Sequence, residues 1–62
     1  MTSPATTYAA RSANIDALIE RLQAARQAHA QRAAGRPNDW GFAGDMGHIE
    51  QRLAELVESM GG

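Results

Sequence analysis

The sequence predicts an all-helical fold: an antiparallel hairpin of two amphipathic helices that dimerises into a four-helix bundle. Two observations support this prediction. Large apolar residues recur at alternating intervals of three and four in two separate runs, which is the spacing of one face of a helix. Between the runs, Gly35-Arg36-Pro37-Asn38 is a strong turn signal, and a turn of about four residues can join two antiparallel helices.

The size of the chain favours association. Its 62 residues allow one small domain, and domains this small usually need disulfides, a metal or a partner chain. Cysteine is absent, and two histidines, His29 and His48, are too few for a conventional structural zinc site. We therefore expect no cofactor and no metal, and we expect stability to come from a partner.

The start of the first helix can be placed in two ways. Residues 1–11 are expected to form a flexible tail or a frayed helix start, and residues 12–62 the hairpin. Ser3-Pro4 could begin a helix, but the threonines that follow are poor helix formers, which favours a start near Asn14. We expect this helix to span about 14–34 and to pack through Ile15, Leu18 and Leu22.

The second helix is predicted over about 39–60, after a turn at 35–38. Gly35 is expected to end the first helix in the left-handed conformation. Asn38 and Asp45 are both possible N-caps of the second, and we favour Asn38 because Phe42 already keeps the later apolar register. The packing residues expected here are Met46, Ile49, Leu53, Leu56 and Met60.

If the chain folds back at Pro37 into an antiparallel hairpin, a residue of the first helix lies opposite the residue of the second helix for which the two numbers sum to about 75. Leu22 then faces Leu53. The same register brings arginines of the first helix near acidic residues of the second, for example Arg26 near Glu50. This charge pattern favours antiparallel pairing of the two unlike helices. A two-helix layer still leaves one side of its apolar face in water. The residues expected on an intermolecular face there are Ile19, Val57, Trp40 and Tyr8.

These features predict a non-enzymatic interaction protein that associates with itself, with a larger protein, or with both. Residues 39–48, DWGFAGDMGH, are the least ordinary segment, with glycines at 41, 44 and 47. The glycines allow either close helix packing or space for a partner's side chains beside Trp40 and Phe42. Together with Asp45, these two aromatic residues are the candidate partner-binding residues of the segment.

The segment also resembles a group of small proteins. The residues Trp40, Gly41, Gly44 and Asp45 form a Trp-Gly-x-x-Gly-Asp pattern that leads into an amphipathic helix. In this it is similar to small uncharacterised helical proteins encoded on plasmids and phages. The resemblance covers about the last third of the chain. It implies a mobile genetic element as the setting, where small proteins include inhibitors of host defence such as anti-CRISPR proteins, and adaptors.

Other functions are disfavoured by residue type. No serine has a histidine base with a third orienting group, and the carboxylates are spread along a helix, so we expect no catalysis. A net charge of -1 and an acidic second helix argue against nucleic-acid binding, although an accessory DNA-binding role is the third alternative. With neither a secretion signal nor an apolar stretch that spans a bilayer, the expected location is the cytoplasm.

Overall fold

A computed structural model describes residues 3–62, and within them the chain forms two α-helices and no strand. Helix α1 spans Pro4–Ala34 and helix α2 spans Trp40–Ser59. The all-helical class predicted from the apolar spacing is therefore confirmed. The chain divides into two units between Gln31 and Arg32. The first unit contains most of α1, and the second contains the last turn of α1, the connection and α2.

Helix α1 begins about ten residues before the start that we favoured at Asn14. The Ser3 hydroxyl oxygen accepts a hydrogen bond from the Thr6 backbone N–H at 3.1 Å, and the Ser3 carbonyl accepts one from the Thr7 N–H at 2.9 Å. Pro4 occupies the first helical position, where its missing N–H costs nothing. The serine cap and the proline thus start the helix in spite of the two threonines.

The end of α1 differs from the left-handed glycine that we expected. The N–H groups of Gly35 and Arg36 donate to the carbonyls of Arg32 and Ala33, at 3.2 and 3.0 Å. These bonds span three residues and tighten the last turn, which satisfies carbonyls that a helix end otherwise leaves unpaired. Among residues 3–62 only Gly61 has a positive φ, so Gly35 does not adopt the predicted conformation.

The N-cap of α2 is Asp39, and neither Asn38 nor Asp45 takes this role. Asp39 has an extended backbone with φ -89° and ψ 107°, and its carboxylate accepts a hydrogen bond from the Gly41 N–H at 2.8 Å. Its negative charge also lies at the positive end of the helix dipole. A Cβ at position 41 would stand 3.0 Å from the Asp39 carboxylate oxygen, so Gly41 leaves room for the cap.

Helix α2 ends in a Schellman motif. The Gly62 N–H donates to the Val57 carbonyl at 3.1 Å, and the Gly61 N–H donates to the Glu58 carbonyl at 3.0 Å. Gly61 itself has φ 84°, the left-handed conformation that this motif requires. The Ser59 hydroxyl adds a bond to the Leu56 carbonyl at 2.9 Å. The last turn of α2 therefore satisfies its own backbone.

No side chain among residues 3–62 is buried. The least exposed positions are only half-buried, and they lie in the last turns of α1 and the first turns of α2: His29, Ala33, Phe42, Met46 and Ile49. Most large apolar side chains of both helices contact solvent. The backbone hydrogen bonds within each helix are formed, whereas most apolar side-chain surface stays in water.

We predict that Asp39→Ala destabilises the protein by about 1 kcal/mol, because the first turn of α2 loses the acceptor for the Gly41 N–H. Urea unfolding followed by far-UV circular dichroism measures the change. Asn38→Ala is the matched control and should cost much less. Equal losses in the two variants would contradict the assignment of Asp39 as the cap.

Two glycine-to-alanine substitutions in the second unit should act in opposite directions. Gly61→Ala is expected to destabilise the end of α2 by about 1 kcal/mol or more, because alanine is strained at φ 84°. Gly44→Ala should stabilise the helix by roughly 0.5–1 kcal/mol, because its new methyl group meets nothing within 4 Å. Thermal unfolding of both variants tests the prediction, which fails if both shift the midpoint the same way.

Candidate interaction surface

The apolar stripe of α1 lies on one face of the helix, and its large apolar residues from Tyr8 to Leu22 are exposed. Tyr8, Ile15, Leu18 and Leu22 recur at helical spacing and keep from 37% to 76% of their surface in contact with solvent. Ile19 lies about 60° around the helix from Leu22, at 100° per residue, and widens the stripe. Residues expected to pack are thus aligned on α1, and the single chain leaves them exposed.

The apolar stripe of α2 has a more protected beginning and an exposed end. Its first three large residues, Phe42, Met46 and Ile49, are half-buried. The large residues that follow are exposed by 40% to 81% of their surface: Leu53, Leu56, Val57 and Met60. Val57 lies about 20° around the helix from Met46, so this residue belongs to the same stripe. The stripe runs from the start of α2 to its C-cap.

Trp40 lies apart from the α2 stripe. At 100° per residue, it points about 120° away from Met46 and about 140° away from Leu53. Its side chain is 87% exposed, the highest value among the exposed large apolar residues. Trp40 and Val57, which are both expected on an intermolecular face, lie about 100° apart around α2. This separation follows from counting residues along the helix and could have been predicted.

The Trp40 side of α2 continues into open backbone. Gly44 and Gly47 follow Trp40 at intervals of four and three, and a Cβ added at either position would meet nothing within 4 Å. Neither glycine therefore relieves a close contact with the described residues. Gly41 differs, since it leaves room for the Asp39 carboxylate. The three glycines, which the sequence pattern grouped together, thus divide into one that serves the helix cap and two that border open space.

The acidic residues and histidines that the structure describes do not gather into a metal-binding cluster. Among the described residues 3–62, no group of three or more His, Cys, Asp or Glu side chains could hold a metal ion. His29 is half-buried on the α1 stripe, and His48 is exposed on α2. Asp45 is exposed at the edge of the α2 stripe, about 100° from Met46. The main chemical feature of the surface is therefore its exposed apolar area.

Comparison with known proteins adds no further information about the site. Comparisons with protein-family models, with curated proteins and with solved structures gave no match for this chain. Over the part of the chain that the structure describes, neither helix is both long enough and apolar enough to cross a membrane.

Proposed function

We propose that this protein is a non-enzymatic protein–protein interaction module that associates with itself through the apolar stripes of α1 and α2. The supporting observation is the exposure of most large stripe residues outside the start of α2, from 37% at Leu22 to 81% at Met60. In the proposed assembly each chain folds as an antiparallel hairpin, and two hairpins form a four-helix bundle. Helices in such bundles bury stripes of this spacing against each other.

The free energy available from covering the stripe supports this proposal. A Leu or Ile side chain that moves from water into an apolar interface gains about 1.5–3 kcal/mol when fully buried. Seven of the exposed stripe residues are Leu, Ile or Met: Ile15, Leu18, Ile19, Leu22, Leu53, Leu56 and Met60. Contiguous exposed apolar surface that follows a helix is typical of interaction sites. A second copy carries stripes of the same kind, so each chain can cover the other.

Absolute mass in solution tests self-association directly. Light scattering after size exclusion, over a hundredfold concentration range starting at low micromolar, should show a species of twice the chain mass of 6.6 kDa or more at the upper concentrations. A folded monomer throughout this range would refute self-association. Far-UV circular dichroism on the same samples shows whether the helices are formed.

We predict that Leu18→Asp weakens the dimer by about two orders of magnitude or more, because a charge replaces an apolar contact twice in a symmetric pair. Leu18 is 56% exposed in the single chain, so the substitution displaces no buried side chain there. Gln27→Asp, about 180° around α1 from Leu18, is the matched control and should leave the mass unchanged. Equal effects of the two substitutions on the dissociation constant would contradict a stripe interface.

A second candidate function is that of an inhibitor or adaptor that docks on a larger protein complex. Two observations favour it: the 87% exposure of Trp40, and the open backbone at Gly44 and Gly47 on the same side of α2. Tryptophan is enriched among the residues that dominate binding energy at interfaces. The sequence resemblance to proteins of mobile elements suggests a host complex as the partner.

A substitution at Trp40 distinguishes the two candidate functions, because it should affect docking on a larger partner and not self-association. Trp40→Ala should abolish capture of a larger partner from host lysate by the immobilised chain, and it should leave the mass of the self-associated form unchanged. Tyr8→Ala, which removes another exposed aromatic residue from α1, is the control. Docking through Trp40 would be ruled out if the variant retained every partner of the original chain.

A further inference from the structure

The large apolar residues of α1 all lie in its first two thirds. They extend from Tyr8 to Leu22 and keep from 37% to 76% of their surface exposed. After Leu22, every residue up to the end of the helix at Ala34 is an alanine or a polar residue. The exposed apolar side chains of α1 are therefore concentrated in its N-terminal part, and its C-terminal part offers small side chains between polar ones.

One edge of the α1 stripe includes both parts of the helix. At 100° per residue, five exposed residues lie on a line within about 20° of Ile19, and we call this line the Ile19 edge: Tyr8, Ser12, Ile19, Arg26 and Ala30. Arg21 and Arg32 lie about 160° and 140° away from Ile19, on the opposite side of the helix. The Ile19 edge therefore carries a single charge, that of Arg26.

We propose that two copies of the chain pack through this edge, α1 antiparallel on α1, with the two Ile19 side chains at the two-fold axis. Ile19 is the midpoint of the helix Pro4–Ala34, so the two helices overlap over their whole length in this register. Residues of the two copies then lie opposite each other when their numbers sum to about 38. The inference rests on the proposed self-association and specifies which helices meet.

The sizes of the side chains fit the antiparallel direction. Tyr8 of each copy lies opposite Ala30 of the other, and helices interdigitate best when large side chains face small ones. At the centre, Ile15 lies beside Leu22 of the other copy, next to the pair of Ile19 side chains. In a parallel two-fold pair each residue lies beside its own copy, so Tyr8 would meet Tyr8 and Ala30 would meet Ala30.

The polar residues fit the same direction. Arg26 lies opposite Ser12 of the other copy, whose hydroxyl oxygen can accept a hydrogen bond from the guanidinium. Asp16, about 60° from Ile19, lies opposite Gln23, whose amide nitrogen can donate to the carboxylate. The parallel direction would instead set Arg26 beside Arg26 and Asp16 beside Asp16, and like charges repel at this distance.

The length of α1 also favours a second α1 as its neighbour. Helix α1 has 31 residues and α2 has 20, so an α2 helix can lie beside no more than about two thirds of α1. A second α1 in the antiparallel register lies beside all of it. The contact is symmetric, so every pair that one copy forms is repeated by the other.

The first test is cross-linking of an Ile19→Cys variant in a glutathione redox buffer. The chain has no cysteine of its own, so a protein disulfide can join two copies only through the introduced residue. Cysteines can be bridged only when their Cα atoms lie within about 7 Å, a condition that favours residues at the two-fold axis. Ile19→Cys should therefore cross-link at least about tenfold faster than the control Ala17→Cys, about 160° around the helix. Equal rates would overturn the proposal.

The second test determines the direction with Ile19 left unchanged. Tyr8→Cys and Ala30→Cys are mixed in equal amounts under reducing conditions and then oxidised. Antiparallel packing predicts disulfides between the two variants, and mass spectrometry should show mixed dimers well above the statistical half. Each variant alone should cross-link slowly, because the two copies of either position are roughly 33 Å apart along the helix axis. Parallel packing predicts that each variant links to itself, which would refute the proposal.

Light scattering on the reduced variants separates an error in helix pairing from a failure of self-association. A dimer that forms neither the Ile19→Cys link nor the mixed link associates through another surface, and the proposed α1 contact is then wrong. A folded chain that stays monomeric at every concentration refutes the proposed self-association as well. If Ile19→Cys itself weakens the dimer, the mixed Tyr8→Cys and Ala30→Cys experiment decides the proposal.

Discussion

Contact between apolar side chains and water is the constraint on which this structure depends. The stripes of α1 and α2 contain most of the large apolar residues, and none of the residues from 3 to 62 is buried. Backbone hydrogen bonds inside a helix do not reduce this exposure, because the side chains point away from the helix axis. Covering the stripes is therefore the main source of free energy that the folded chain has left to gain.

The backbone groups at the ends of the helices, in contrast, form hydrogen bonds with nearby residues, and at the end of α1 the partners are Gly35 and Arg36. Ser3 caps α1, Asp39 caps α2, and Gly61 with Gly62 closes the last turn of α2. Each of these hydrogen bonds joins residues no more than five positions apart. The secondary structure is thus specified locally, whereas burial of the stripes requires residues distant in sequence or in another chain.

This difference explains how much of the fold could be predicted from the sequence. Apolar spacing revealed the two helices because Leu18, Leu22, Leu53 and their neighbours repeat at the helical period. Before Ile15 the same spacing rests on Tyr8 alone, the only large apolar residue in that part of α1. The helix start at Pro4 had to be recognised from its cap instead. Asp39 was missed because Asn38, its neighbour, is an equally good capping residue by type.

The sequence predicted the apolar stripes of the candidate site but not the separate roles of its glycines. The stripe residues of each helix were identified from their spacing, because position on a helix depends only on residue number. The separation of Trp40 from Val57 follows from the same count. The different roles of the glycines could not be predicted from residue type, since the role of Gly41 depends on where the Asp39 carboxylate lies and that of Gly44 on what lies near it.

The unequal lengths of the helices have a consequence for any paired assembly. Helix α1 has 31 residues and α2 has 20, so they measure about 46 Å and 30 Å at 1.5 Å per residue. If the proposed hairpin sets Leu22 opposite Leu53, the first dozen residues of α1, which measure roughly 18 Å, would have no counterpart on α2. Tyr8 and Arg11 are among these dozen residues, so in an assembly of the proposed kind their coverage would have to come from a helix other than α2.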